Sequence, residues 1–264
     1  MMNSKNNLLE IRKPINRSTS IYLGISIWVI FFGFWQLSCS MGWVNSLLVP
    51  SPLKVLEALK ELLFERGFFE DIIHSILRVI VSFFLACTIA IPLGILMGSF
   101  RSIESFFNPF VSAWRYLPAP SFIPVLLMWF GTGETPKLAL LFIGVVFFLI
   151  TMVMDYTRNI KMELLETAAT LGATRPQLIS TVIIPAVLPD IIVSMRQMLA
   201  VTWTYLVIAE IVASTTGIGA MMMRARRFLH TDEIMAGIMV IGILGLLFDI
   251  LFRLIHRKMF SYLY

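Results

Sequence analysis

The chain has 264 residues, 58% of them hydrophobic and only 14% charged, with a mean hydropathy of +0.85. A water-soluble domain carries charge on about a quarter of its residues, so this composition excludes an ordinary soluble globule and points to one polytopic membrane domain. The net charge of +5 does not signal nucleic acid, because the basic residues are scattered over the segments between apolar runs, where membrane topology accounts for them.

Residues 1–20 read as a polar tail carrying Lys5, Arg12, Lys13 and Arg17. The apolar run at about 21–40 is too long for the hydrophobic part of a cleaved signal, and predicts a membrane helix that stays. Crossing the hydrocarbon core takes about 20 apolar residues. Further runs at about 75–99, 106–130, 137–156, 190–212 and 233–255 meet that length, so residues 21–264 are expected to form an all-α domain of six transmembrane helices. Between the first two runs, Pro52–Phe69 predicts an amphipathic helix on the membrane surface. Ser51 is its N-cap, Pro52 its first residue, and Leu53, Leu56, Leu59, Leu63 and Phe64 lie near one face. The third run is interrupted by Pro109, Pro118, Pro120 and Pro124. Prolines within a span are tolerated where other protein groups satisfy the freed carbonyls, so this helix is expected to be buried against its neighbours. Cys39 and Cys87, in or beside apolar runs, read as small hydrophobes.

The excess of positive charge on inner segments orients the set. With the N-terminus in the cytoplasm, an even number of spans returns the C-terminus there. Arg101, Arg158, Lys161, Arg175, Arg257 and Lys258 then join the basic tail inside, against Lys54, Lys60, Arg66, Lys137 and the opposing group Arg224, Arg226 and Arg227 outside.

A mostly polar stretch at about 158–189 separates the fourth and fifth runs. Glu163, Leu164, Leu165, Ala168, Ala169 and Leu171 are good helix formers. Gly172 is placed to end that helix with a positive φ. Thr174 with Gln177 forms a capping-box pair, and Pro176 suits a first turn, so a second short helix is expected up to about Ile184, stopping at Pro185. Small Ala168, Ala169 and Gly172 leave a flat surface that lets another protein approach.

Glu166-Thr167-Ala168, then Gly172, then Val182-Ile183-Ile184-Pro185 resembles the signature loop of the membrane subunits of bacterial ABC importers. Thr167 departs from the usual alanine, and Val182 and Ile184 stand for residues of similar shape. The likeness extends through Leu48-Val49-Pro50-Ser51-Pro52, Ser75-x-x-Arg78, Pro92-Leu93-Gly94-x-x-x-Gly98, Pro118-Ala119-Pro120-x-x-x-Pro124, Trp129-Phe130-Gly131, Ala209-Glu210 and Thr216-Gly217-Ile218-Gly219. These are similar to the nitrate/sulfonate/taurine/bicarbonate branch of such permeases, from about residue 48 to the end.

The resemblance implies the fold of a type I ABC importer and a permease subunit in a bacterial inner membrane. It implies that Glu163, Glu166, Thr167, Ala168, Leu171, Gly172, Ala173, Thr174 and Pro185 couple to cytoplasmic ATPase subunits. ATP and magnesium would be bound by those subunits and no cofactor by this chain. The implied further partners are a second permease copy and an external solute-binding protein.

No Gly-x-x-x-x-Gly-Lys-Ser/Thr loop, His-Glu-x-x-His or Gly-x-Ser-x-Gly is present. His74, His230 and His256 have no ligand-spaced partner, so neither catalysis nor a metal site is expected. Ionisable residues inside spans are candidates for a translocation pathway. Arg78, Arg115 with neighbouring Tyr116, Arg196 and Glu210 qualify, and the arginine fork suits an oxyanion. Trp203, Thr204 and Tyr205 add polar handles to the fifth span, and Thr215–Gly219 reads as a turn outside the membrane. A permease for an uncharged solute such as a pyrimidine, and an ATPase-independent channel or secondary transporter, stay open as alternatives.

Overall fold

The protein is described by a computed structural model over residues 15–263, so most of the expected tail, with Lys5, Arg12 and Lys13, lies outside the described residues. The described chain is helical. In order it forms α1 (Arg17–Ser40), α2 (Pro52–Glu65), α3 (Phe68–Ser99), α4 (Arg101–Arg115), a 3-10 turn (Ala119–Phe122), α5 (Ile123–Phe130) and α6 (Glu134–Arg158). It continues with α7 (Met162–Thr170), α8 (Arg175–Gln177), a π-helical stretch (Leu178–Ile183), α9 (Ile184–Ala213), α10 (Ile218–Arg227) and α11 (Thr231–Met259). Among the described residues, five helices are long and apolar enough to cross a membrane: α1, α3, α6, the continuous Arg175–Ala213 and α11.

The expected third span is not one helix. It is α4, the 3-10 turn and α5 in series, broken where Pro118 and Pro120 withhold backbone donors and Tyr116 closes α4. Nor is it buried all round. Val111, Ala119 and Leu126 face inward, whereas Phe106, Phe110, Tyr116, Met128 and Trp129 stay exposed.

The core is α3 packed on α6, with α9 packed against both. Gly94 and Gly98 make the first contact possible. A Cβ on Gly94 would lie 2.7 Å from Cβ of Val153, and one on Gly98 would lie 2.5 Å from Cβ of Thr157. Small residues one turn apart let two helix backbones approach where lipid removes the usual hydrophobic drive, leaving close packing to hold the pair. Gly144 plays the same part between α6 and α9, where its missing side chain is replaced by the Tyr205 ring.

The surface helix α2 begins where expected, with Ser51 Oγ accepting from Lys54 N–H. Its buried face is Val55, Ala58 and Leu62, packed with α11, whereas Leu53, Leu56 and Phe64 are exposed. The leucine stripe is therefore divided: Leu59 and Leu63 are half-buried against the same cluster, whereas Leu53, Leu56 and Phe64 face outward. The short helix α10, unforeseen in the sequence, packs on α11 and α9 beyond the turn at Thr215–Gly219.

Candidate functional site

Two groups of polar residues sit at opposite ends of the bundle. At one end, α7 follows α6 and contains no buried residue. Its side chains split: Leu165 and Ala168 turn toward the core, while Leu171 is 84% exposed and Leu164 faces outward. Among the described residues, the carboxylates of Glu163 and Glu166 have no partner. Thr167 and Thr170 hydroxyls donate back to Glu163 and Glu166 carbonyls at 2.6 and 2.7 Å. The helix ends as its glycine dictates. Gly172 has φ +85°, its N–H donates to Ala169 O at 2.9 Å, and Ala173 N–H donates to Ala168 O at 3.0 Å. These two bonds close a Schellman motif that satisfies carbonyls a helix end otherwise leaves open.

Thr174 then starts α8. Its backbone N–H and its hydroxyl both donate to Gln177 Oε1, each at 2.8 Å, which is the glutamine half of the capping box. The second helix does not stop at Pro185. It passes through the π stretch Leu178–Ile183 and continues as α9 to Ala213. Pro185 falls in the first turn after the π stretch, where a missing N–H is tolerated, and Pro189 lies one turn further on. The outward-facing loop is thus welded to a span instead of being hinged off it.

At the other end, the start of α3, the start of α6, the end of α9 and the first turn of α10 meet in a buried ion network. Arg78, 3% exposed, uses all five of its N–H donors. Nε and Nη2 donate to Glu134 at 2.6 and 2.8 Å; Nη1 donates to Glu210 at 2.7 Å and to Thr216 O at 2.8 Å; Nη2 also donates to Thr216 Oγ1 at 2.8 Å. Glu210, fully buried, also accepts from the Ser75 hydroxyl at 2.7 Å and from Gly219 N–H at 2.8 Å. Ser75 Oγ in turn accepts from Ile218 N–H at 3.0 Å, and Asp71 accepts from Gly217 N–H at 2.6 Å. The open donors of the first α10 turn are therefore satisfied by three side chains from α3 and α9. Gly217, at φ +108°, has no alternative, since a Cβ there would fall 2.3 Å from Glu210 Oε1.

The remaining pathway candidates are dispersed. Arg115, at the end of α4, is half-buried and lies 5.4 Å from the Tyr116 ring centroid in a cation–π contact. Arg196 pairs with Asp249 at 3.2 Å. Trp203 is buried against Phe248, and among the described residues its Nε1 has no acceptor. Thr204 is exposed on the open face of α9. The sequence singled out Arg78 and Glu210 separately and passed over Glu134, which joins Arg78 to Lys137. The available signal was the Glu134-x-x-Lys137 spacing at the head of an apolar run, a pair that shares one helix face.

Residues 90–261 match the family model described as the binding-protein-dependent transport system inner membrane component. The chain belongs to that family. This ABC permease is 30% identical over 256 residues to the taurine transport system permease protein TauC of Escherichia coli (strain K12), covering 95% of this chain and 92% of that one. It is 30% identical over 259 residues to the putative aliphatic sulfonates transport permease protein SsuC of Bacillus subtilis (strain 168), covering 98% and 94%. Similarity to the bicarbonate transport system permease protein CmpB of Synechococcus elongatus is 27% over 83% of this chain and 82% of that one.

The permease shares its fold with a chain of the inward-facing MetNI methionine ABC transporter, at TM-score 0.63 and 22% identity over 73% of this chain and 94% of that one. The expected all-α fold of a type I ABC importer is the fold found, with the third span in two pieces. As an inner membrane component of a transport system, the chain is a transport subunit and not an enzyme.

Proposed function

We propose that this permease forms half of the translocation pathway of an ATP-driven importer of a small anion, of the sulfonate, taurine, bicarbonate or nitrate class. An external solute-binding protein delivers the solute, a second permease copy completes the pathway, and two ATPase subunits carrying ATP and magnesium drive it. The observation that carries this reading is the single helical run from Arg175 to Ala213. At a rise of about 1.5 Å per residue it spans about 58 Å, beginning beside the exposed α7 corner and ending in the Arg78–Glu210 network.

In this reading the ATPases grip Glu163, Glu166, Thr167, Ala168, Leu171, Gly172, Ala173 and Thr174. Movement of that corner passes through the π stretch, Pro185 and Pro189 into α9. A ligand or partner shifts such an equilibrium only by binding the two states unequally, so ATP-driven closure of the ATPases must favour one tilt of α9. The α7 end is cytoplasmic, together with both termini, and the α10 end faces the binding protein. Arg115 and Tyr116 flank the irregular segment at mid-depth, where unpaired backbone is tolerated if it lines a cavity. Trp203 and Tyr205 sit on α9, with the Tyr205 ring against Gly144 of α6.

The named substrates of TauC, SsuC and CmpB support the anion class. The test is reconstitution of this permease with its ATPase and binding protein in liposomes, followed by uptake of labelled taurine, an alkanesulfonate, bicarbonate and nitrate. Uptake of at least one that requires both ATP and the binding protein is expected. Uptake of none, or uptake indifferent to ATP, would overturn the reading.

A further inference from the structure

We propose that Arg78 and Lys137 form an oxyanion-binding site at the α10 end of the bundle, and that the Glu134 carboxylate occupies it as an exchangeable internal ligand. The proposal rests on the importer reading and names the group that first receives its anionic solute. Three donors converge on one carboxylate. Arg78 Nε meets Oε2 at 2.6 Å, Arg78 Nη2 meets Oε1 at 2.8 Å, and Lys137 Nζ meets Oε1 at 2.8 Å. The burial is lopsided. Arg78 and Lys137 are 3% and 4% exposed, whereas Glu134 is 56% exposed. Two cations thus lie at the bottom of the network with an acid reaching onto them from the exposed side.

The cations are built in, and the acid is not. Arg78 is held from behind by Glu210 and Thr216, which fix the direction of its remaining fork. Lys137 is under-supplied. An ammonium has three donors, yet Glu134 is its only partner among the described residues. The cavity beside it is walled by Ile123, Leu126, Leu127, Leu140 and Ala209, none of which offers an acceptor side chain. A buried cation so placed gains from any further oxygen brought within reach. Glu134 follows Gly131 and Gly133, and among the described residues nothing beyond the chain neighbours lies within 4 Å of where a Cβ on either glycine would point, so the two glycines before it are not packed in place.

Charge completes the argument. With Glu134 in place, two cations face two carboxylates. When it swings out, Glu210 balances only one of them, and a single negative charge is wanted. A sulfonate, bicarbonate or carboxylate presents two oxygens with a bite like that of the departing side chain, which matches the arginine fork. An uncharged solute would leave one of the two cations unpaired.

Methanesulfonate binding to the assembled importer in lipid nanodiscs, titrated at constant ionic strength, tests the site. Glu134→Gln is expected to bind it about tenfold or more tighter than wild type, and adding Lys137→Met should abolish the gain. Lys137→Met alone should raise the KM for ATP-driven uptake while leaving kcat near wild type. Should Glu134→Gln fail to assemble, Glu134→Asp, which draws the carboxylate back by one methylene, is expected to show the same anion-specific gain. Affinity unchanged in the variant that assembles, or a gain that survives Lys137→Met, would overturn the site. Wild-type importer that transports with a KM indifferent to Lys137→Met would sink the site alone; absence of any ATP-driven uptake by wild type would sink the reading beneath it.

Discussion

Replacing Gly172 separates the geometry of the α7 corner from its contacts. The residue sits at φ +85° between two hydrogen bonds of a Schellman motif, and among the described residues nothing beyond its chain neighbours lies within 4 Å of the position a Cβ would take. Any cost of a side chain inside this chain is therefore backbone strain. For an ordinary L-residue that strain is about 1–2 kcal/mol, equivalent to about 5–30-fold weaker docking if it falls wholly on the docked corner. A β-branched residue suffers more, whereas asparagine tolerates this region.

Gly172→Val should therefore lose ATPase co-purification and ATP-driven uptake together. Gly172→Asn should keep the corner folded, with an unchanged proteolysis pattern across 159–178, yet still weaken ATPase retention, because its side chain points at whatever docks there. If both variants retain the ATPase and transport at wild-type rates, the α7 corner is not the coupling surface.

Other expectations follow from the packing and the ion network. Gly98→Leu drives a side chain into Thr157 and the Met154 carbonyl, and should cost about 1–3 kcal/mol by overpacking, read as a lower thermal midpoint in detergent. The same change at Gly24, where nothing lies within 4 Å, should leave it unmoved. Glu210→Gln leaves the buried Arg78 without its innermost counter-charge, and should destabilise the fold by about 3–5 kcal/mol; unaltered unfolding would refute the network as a structural element. Gln177→Ala removes the acceptor for both the Thr174 N–H and its hydroxyl, a cap worth about 0.5–2 kcal/mol. Faster amide exchange confined to the start of α8 is the expected sign.

Much of this was legible in the chain. Apolar runs of membrane length located α1, α3, α6, α9 and α11, since hydrophobic length is a local property that lipid enforces directly. The end of α7 at Gly172 and the start of α8 at Thr174 were legible for the same reason: each depends on residues within one turn. The readings that failed needed a neighbour. In sequence Pro185 reads as a stop because a proline lacks a donor, but the π stretch before it widens the turn and lets the helix run on. The sequence reads α2 as an amphipathic surface helix, and only the structure shows that Val55, Ala58 and Leu62 are the face it turns to α11. The third run counted as one span, although its prolines divide it into α4 and α5.

The sequence by itself determined that this chain lives in a membrane, that its fold is helical, and that a polar corner of two capped helix ends lies between two of its spans. Those conclusions rest on composition, on hydrophobic length and on caps that close within a few residues. Only the tertiary structure decided that Arg78, Glu134, Lys137 and Glu210 are one site. They come from three helices separated by up to 132 positions, and a charge in a span carries no mark of its partner. Burial sets their pairing: each cation withdrawn from water must find an acid, and the approach of α3, α6 and α9, permitted by Gly94, Gly98 and Gly144, dictates which acid it finds.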